Sequence, residues 1–135
     1  MFQGMKTKIL KLTSLLVAVA FYAASGCVTP QIPLPPPSVD DLIFTSVDPT
    51  KKTISISSTG DNLDRYMSAR ISVYNTATES GVIVRGAPLT GAFKTPPLPV
   101  EDGDQLEVRY TFRDELSDQI CIVATFKAGQ PRLCP

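Results

Sequence analysis

Histidine is absent from all 135 residues. Ser-His-Asp and Cys-His nucleophilic sites, His-ligated zinc and imidazole proton shuttles go with it, because each needs a ring nitrogen that ligates or changes charge near neutral pH. Tryptophan is absent too, beside only four Tyr and six Phe, which weakens a sugar-stacking function. Formal charge is zero, yet no acidic residue precedes Asp40, and Lys6, Lys8 and Lys11 stand near the start. From Cys27 onward ten Lys plus Arg face thirteen Asp plus Glu, a formal charge of −3. Phosphate-backbone binding needs clustered positive charge, so nucleic acid is not an expected partner. Only carboxylate chemistry stays open, and no constellation of residues points to it. The chain is therefore expected not to be an enzyme, with no catalytic, cofactor-binding or metal site assigned.

Long hydrophobic runs are missing as well. The apolar stretch from Leu12 to Ala24 spans about thirteen residues, short of the ~20 that cross a bilayer. Preceded by Met5-Lys6-Thr7-Lys8 and Lys11, it reads as a signal peptide over residues 1–26. Met1 and Met5 both stand as candidate start residues. The stretch ends in Ala24-Ser25-Gly26-Cys27, which resembles the bacterial lipobox: small residues at the two positions before an obligatory Cys, and an aliphatic residue, most often Leu, one place earlier. Ala24 is an accepted but less common occupant of that place. The resemblance covers residues 5–27 and implies a lipoprotein in which the Cys27 thiolate accepts a diacylglyceryl group. Each buried CH₂ is worth about 0.8 kcal/mol, so the two or three acyl chains the resemblance implies make attachment effectively permanent. Val28, where Asp favours retention in the inner membrane, leans toward the outer membrane. An ordinary secretory signal with a fortuitous Cys is the alternative.

Helix-favouring residues are sparse beyond residue 30, whereas five of the twelve prolines fall in residues 28–37. Proline fixes its own φ and disfavours helix in the residue before it, so residues 27–39 read as a lipidated Cys followed by an extended spacer. At about 3.1 Å per residue the spacer reaches up to ~30 Å. A ligand for a proline-binding module is the other reading. From 40 to 135 the pattern changes to alternation, clearest in Leu106, Val108, Tyr110 and Phe112, then in Ile120, Ile122, Ala124 and Phe126. Weaker runs are Ile54 with Ile56, Ile71 with Val73, and Val82 with Val84; Leu42 to Val47 is a first strand whose facing is not assignable. Turn-forming clusters separate them, so the expected fold is all-β, a single antiparallel sandwich of about seven strands. Residues 61–68 fit one helical turn capped by Asp61 or Asn62.

Gly91-Ala92-Phe93, Pro97-Leu98-Pro99, Gly103-Asp104 leading into Gln105 to Val108, and Asp114 with Ser117 together resemble the second half of bacterial immunoglobulin-like domains. The match covers some forty residues and consists of turn and strand chemistry; Glu115 and Leu116 stand where that pattern has Gly. The resemblance implies an immunoglobulin-like sandwich and leaves function open.

An exported protein meets an oxidising compartment, where Cys121 and Cys134 are expected to pair and pin the carboxyl-terminal tail. Glu101, Asp102 and Asp104, helped by Asp40 and Asp41, are oxygen donors of the kind calcium takes. EF-hand spacing is absent, however, and Gly103-Asp104 also reads as a turn into a strand. Tyr66, Tyr74, Tyr110 and Phe93 suit either a binding face or the core. Asp114, Glu115 and Asp118 near Arg113 read as a solvated loop. Together these features point to a membrane-attached binding or structural module with an envelope protein as partner, an accessory subunit or a surface adhesive domain. A lipoprotein capturing a small molecule, a glycan or a foreign enzyme is the second reading.

Overall fold

The computed structural model describes residues 32–60 and 63–135. The expected signal segment, Cys27 and the candidate caps Asp61 and Asn62 lie outside the described residues. Among the described residues nine strands follow one another: β1 (Leu42–Asp48), β2 (Thr53–Ser58), β3 (Arg70–Asn75), β4 (Ser80–Arg85), β5 (Leu98–Pro99), β6 (Gln105–Phe112), β7 (Glu115–Leu116), β8 (Ile120–Val123) and β9 (Arg132–Leu133). All pairings are antiparallel, in a three-stranded sheet of order β1-β2-β5 and a six-stranded sheet of order β4-β3-β6-β8-β9, with β7 beside β6. The fold is the expected β-sandwich. Strands outnumber the expected seven or so because β5, β7 and β9 are two residues long, too short to carry any alternation.

Period-two side-chain placement explains the core. Leu42 and Phe44 of β1, Ile54 and Ile56 of β2 and Leu98 of β5 turn inward from one sheet. Ile71 and Val73 of β3, Leu106, Val108 and Tyr110 of β6 and Ile122 of β8 meet them from the other, all essentially inaccessible to solvent. Burial of each large side chain is worth about 1.5–3 kcal/mol. β1 therefore faces the core through its even-numbered residues Leu42 and Phe44.

The expected helical turn is a short 3-10 turn, Asp64–Tyr66, with no side-chain cap at Leu63. What it delivers is Tyr66, buried with its ring edge-on to Phe93 (centroids 5.5 Å apart) and to Tyr110 (5.3 Å). The β6–β7 connection is a two-residue turn in which Arg113 (φ 49°) and Asp114 (φ 65°) both adopt left-handed backbone. A tight hairpin requires such dihedrals to match strand twist, and Asp tolerates them without glycine.

Residues 33–135 form one compact unit. Leu34 packs against the core, Pro37 is buried, and Pro36 accepts a long hydrogen bond from Arg65 Nη1 (3.5 Å). The last part of the Pro-rich stretch thus lies on the domain.

Cys121 and Cys134 form a disulfide with Cα atoms 5.4 Å apart. The end of the tail is otherwise tied by two β9 residue pairs, Ile122 with Leu133 and Val123 with Arg132, and by the Cys134 N–H donating to Cys121 O at 2.9 Å, while Gly129 further back exchanges two backbone hydrogen bonds with Phe44 (2.8 and 3.2 Å). The bridge closes a loop of sequence separation 13, so replacing both cysteines with Ser is expected to cost about 3 kcal/mol by the chain-entropy account. Urea unfolding should show that loss as a lower midpoint with an unchanged or slightly steeper slope, and reductant should reproduce it in the parent protein only.

Candidate functional site

The acidic residues do not converge. Glu101 Oε1 lies 2.7 Å from Lys52 Nζ across the surface. Asp104 Oδ2 accepts from Asn75 Nδ2 (2.8 Å) and from the Glu101 backbone N–H (2.8 Å), while Asn75 Nδ2 also donates to Pro99 O (3.1 Å). Asn75 is fully buried, and an amide there needs its acceptors, so the Asp104 carboxylate serves the joint between β3, β5 and the turn before β6. Gly103, at φ 93°, makes that turn. Asp40 accepts from Gln130 Nε2 (2.6 Å), and Asp41 accepts from the Tyr66 hydroxyl (3.0 Å) with Arg65 Nη1 3.6 Å away. Burial and the Asp41 carboxylate both push the Tyr66 hydroxyl upward in pKa, so it stays protonated and donates. Among the described residues no group of three His, Cys, Asp or Glu side chains is placed to hold a metal.

The aromatic set divides as well. Phe93, Tyr66 and Tyr110 are core, and burial raises the Tyr110 pKa; only Tyr74 is exposed. At the β6–β7 turn the Arg113 guanidinium lies 5.1 Å from the Phe112 ring centroid and Asp114 is 3.9 Å from Arg70. Ser117 is buried, its Oγ accepting from the Tyr110 N–H (3.0 Å) and donating to Asp118 O (2.8 Å). Cross-strand support accounts for these residues.

The surface that stands apart is the β4 edge. β4 pairs with β3 through six consecutive residues without interruption, Asn75 with Ser80 through to Arg70 with Arg85, and among the described residues has no strand on its other side. Val82 and Val84 face inward and are half-buried; Ile83, between them, points out and is 70% exposed. Tyr74 stands on β3 directly opposite Gly81, and a side chain added at Gly81 would come within 3.1 Å of the tyrosine ring. The ring therefore leans over the glycine, leaving a shallow depression bounded by Tyr74, Gly81, Ile83 and Arg109. No family model, no curated protein and no solved structure matches the chain.

Chemically, such an edge offers a row of backbone donors and acceptors beside an apolar strip, which suits strand pairing. The sequence held one sign of it: Ile83 is an apolar residue on the polar phase of the Val82–Val84 alternation. The expected lipid-bearing residue, Cys27, lies outside the described residues, and Cys121 with Cys134 is the predicted pair that the fold brings together.

Proposed function

We propose that this chain is an envelope lipoprotein, anchored through lipid on Cys27, whose β-sandwich is of the immunoglobulin-like type and acts by binding or structural support rather than by chemistry. The observation that carries the reading is the tetrad Ala24-Ser25-Gly26-Cys27 after a charged start and a short apolar run. Small residues suit the narrow extended cleavage site, and a Cys directly after them supplies the thiolate to be acylated. Val28 favours the outer membrane. The immunoglobulin-like type is supported by strand order: β1, β2 and β5 in one sheet against β4, β3, β6 and β8 in the other correspond to A, B, E opposite C′, C, F, G.

A binding role is supported by the open β4 edge and by the different structural tasks the carboxylates have. An envelope protein is the proposed partner, contacted through the inter-strand loops. The test is recovery of the processed protein from gently solubilised envelopes. Mass spectrometry is expected to find a diacylglyceryl or triacyl modification on Cys27 and a protein partner in stoichiometric amount. An unmodified full-length chain in the cytosol would defeat the anchor, and a monomer carrying only a glycan would defeat the subunit role.

A further inference from the structure

We infer that β4 is the dimerisation strand of this protein, pairing antiparallel with β4 of a second copy about a two-fold axis at Val82. The first ground is that β4 is the longest described sheet edge left open; β7, with two residues, is too short to offer one. β1 is broken by a register shift between Thr45 and Asp48, with Ser46 at φ 51°, and its free side is bridged at Phe44 by Gly129. β5 is two residues long and contains Pro99, which cannot donate. β9 is also two residues long and lies between Pro131 and Pro135. β4 has six residues in unbroken register, no proline and no bulge, and its one charged residue, Arg85, stands at its end, so its middle is left open to edge pairing.

The second ground is self-complementarity. An isologous contact must match the same strand to itself. Placing Val82 on the axis sets Gly81 opposite Ile83 of the second copy and Ser80 opposite Val84, and brings Glu79, in the turn just before the strand with φ 53°, alongside Arg85. Directly opposed residues on antiparallel strands share a face, so each exposed Ile83 enters the depression over the other copy's Gly81, beside Tyr74. Both exposed apolar side chains of this strip are then covered, twice over. Glu79 and Arg85 are exposed and have no ion-pair partner among the described residues. Arg85 also sits directly across from Arg70 within the sheet, an unfavourable like-charge pair. Glu79 of the second copy relieves it at each end. Registers displaced by two residues lose both the Ile83–Gly81 fit and the Glu79–Arg85 charge pairs. The inference is independent of lipid on Cys27, although confinement to a membrane raises the effective concentration of copies.

Sedimentation velocity on the full chain in detergent, with micelles in large molar excess, tests this. A monomer–dimer equilibrium is expected. Glu79→Arg is expected to weaken it by at least about tenfold, since two attractive pairs become repulsive, and adding Arg85→Glu should restore it. Ile83→Lys, at a site exposed in the single copy, should leave far-UV circular dichroism unchanged and abolish dimers. A monomer at every concentration overturns the inference, as does a dimer indifferent to Ile83→Lys or a Glu79→Arg defect that Arg85→Glu does not repair.

Discussion

Cys27→Ala is expected to move the protein from the membrane pellet to the soluble or unprocessed fraction almost completely. The size of the effect follows from the energetics of acyl chains. One chain gives only marginal binding, with an association constant of ~10⁴ M⁻¹, and each further buried CH₂ adds about 0.8 kcal/mol, so losing all of them removes the anchor rather than weakening it. The chain from Cys27 onward is mildly acidic, so attraction to anionic headgroups does not replace it. A second consequence follows because Cys27 borders the expected cleavage site: Cys27→Ala should also accumulate the uncleaved chain. Fractionation and intact-mass measurement of the variant check both. Retention of Cys27→Ala in the membrane with the parent mass would end the lipoprotein reading.

Gly86→Ala is expected to destabilise the domain by about 3 kcal/mol or more, among the larger effects of a single methyl group. The Gly86 N–H donates to Ala69 O (2.9 Å) and its carbonyl accepts from the Ser68 N–H (3.2 Å), so the chain leaving β4 is clasped to the 63–69 segment through backbone alone. A Cβ at Gly86 would stand 1.9 Å from the carbonyl oxygen of Tyr66. No rotamer relieves a clash with backbone. The segment must move, taking Tyr66 out of its edge-on contacts with Phe93 and Tyr110 and away from its hydrogen bond to Asp41. Gly60→Ala is the control, because nothing lies within 4 Å of its added methyl; its midpoint in urea should match the parent within about 0.5 kcal/mol. Equal midpoints for the two variants would show that the 63–69 and 86–92 segments yield more readily than their packing implies.

These outcomes separate what was legible in the chain from what was not. The alternation of Leu106, Val108 and Tyr110 and of Ile120 and Ile122 is a local consequence of burying one face of a strand, and it marked β6 and β8 directly. The role of Tyr66 was not legible. It lies outside any alternating run, and only the 3-10 turn and the close approach of Gly86 bring it between Phe93 and Tyr110. The acidic residues were ambiguous for a related reason. Glu101, Asp102 and Asp104 are close in sequence, but ligation depends on where oxygens point, and the fold gives Asp104 to Asn75 and Glu101 to Lys52.

Alternation, turn chemistry and cysteine content determined from the sequence alone that residues beyond the Pro-rich stretch build an antiparallel β-sandwich with a bridged tail, since each of those signals is written in near neighbours. Strand order, the pairing of Asn75 with Asp104 and the exposure of the β4 edge were decided only by the tertiary structure. They depend on which distant strands become neighbours, and a free edge is a property of the missing neighbour rather than of the strand's own residues.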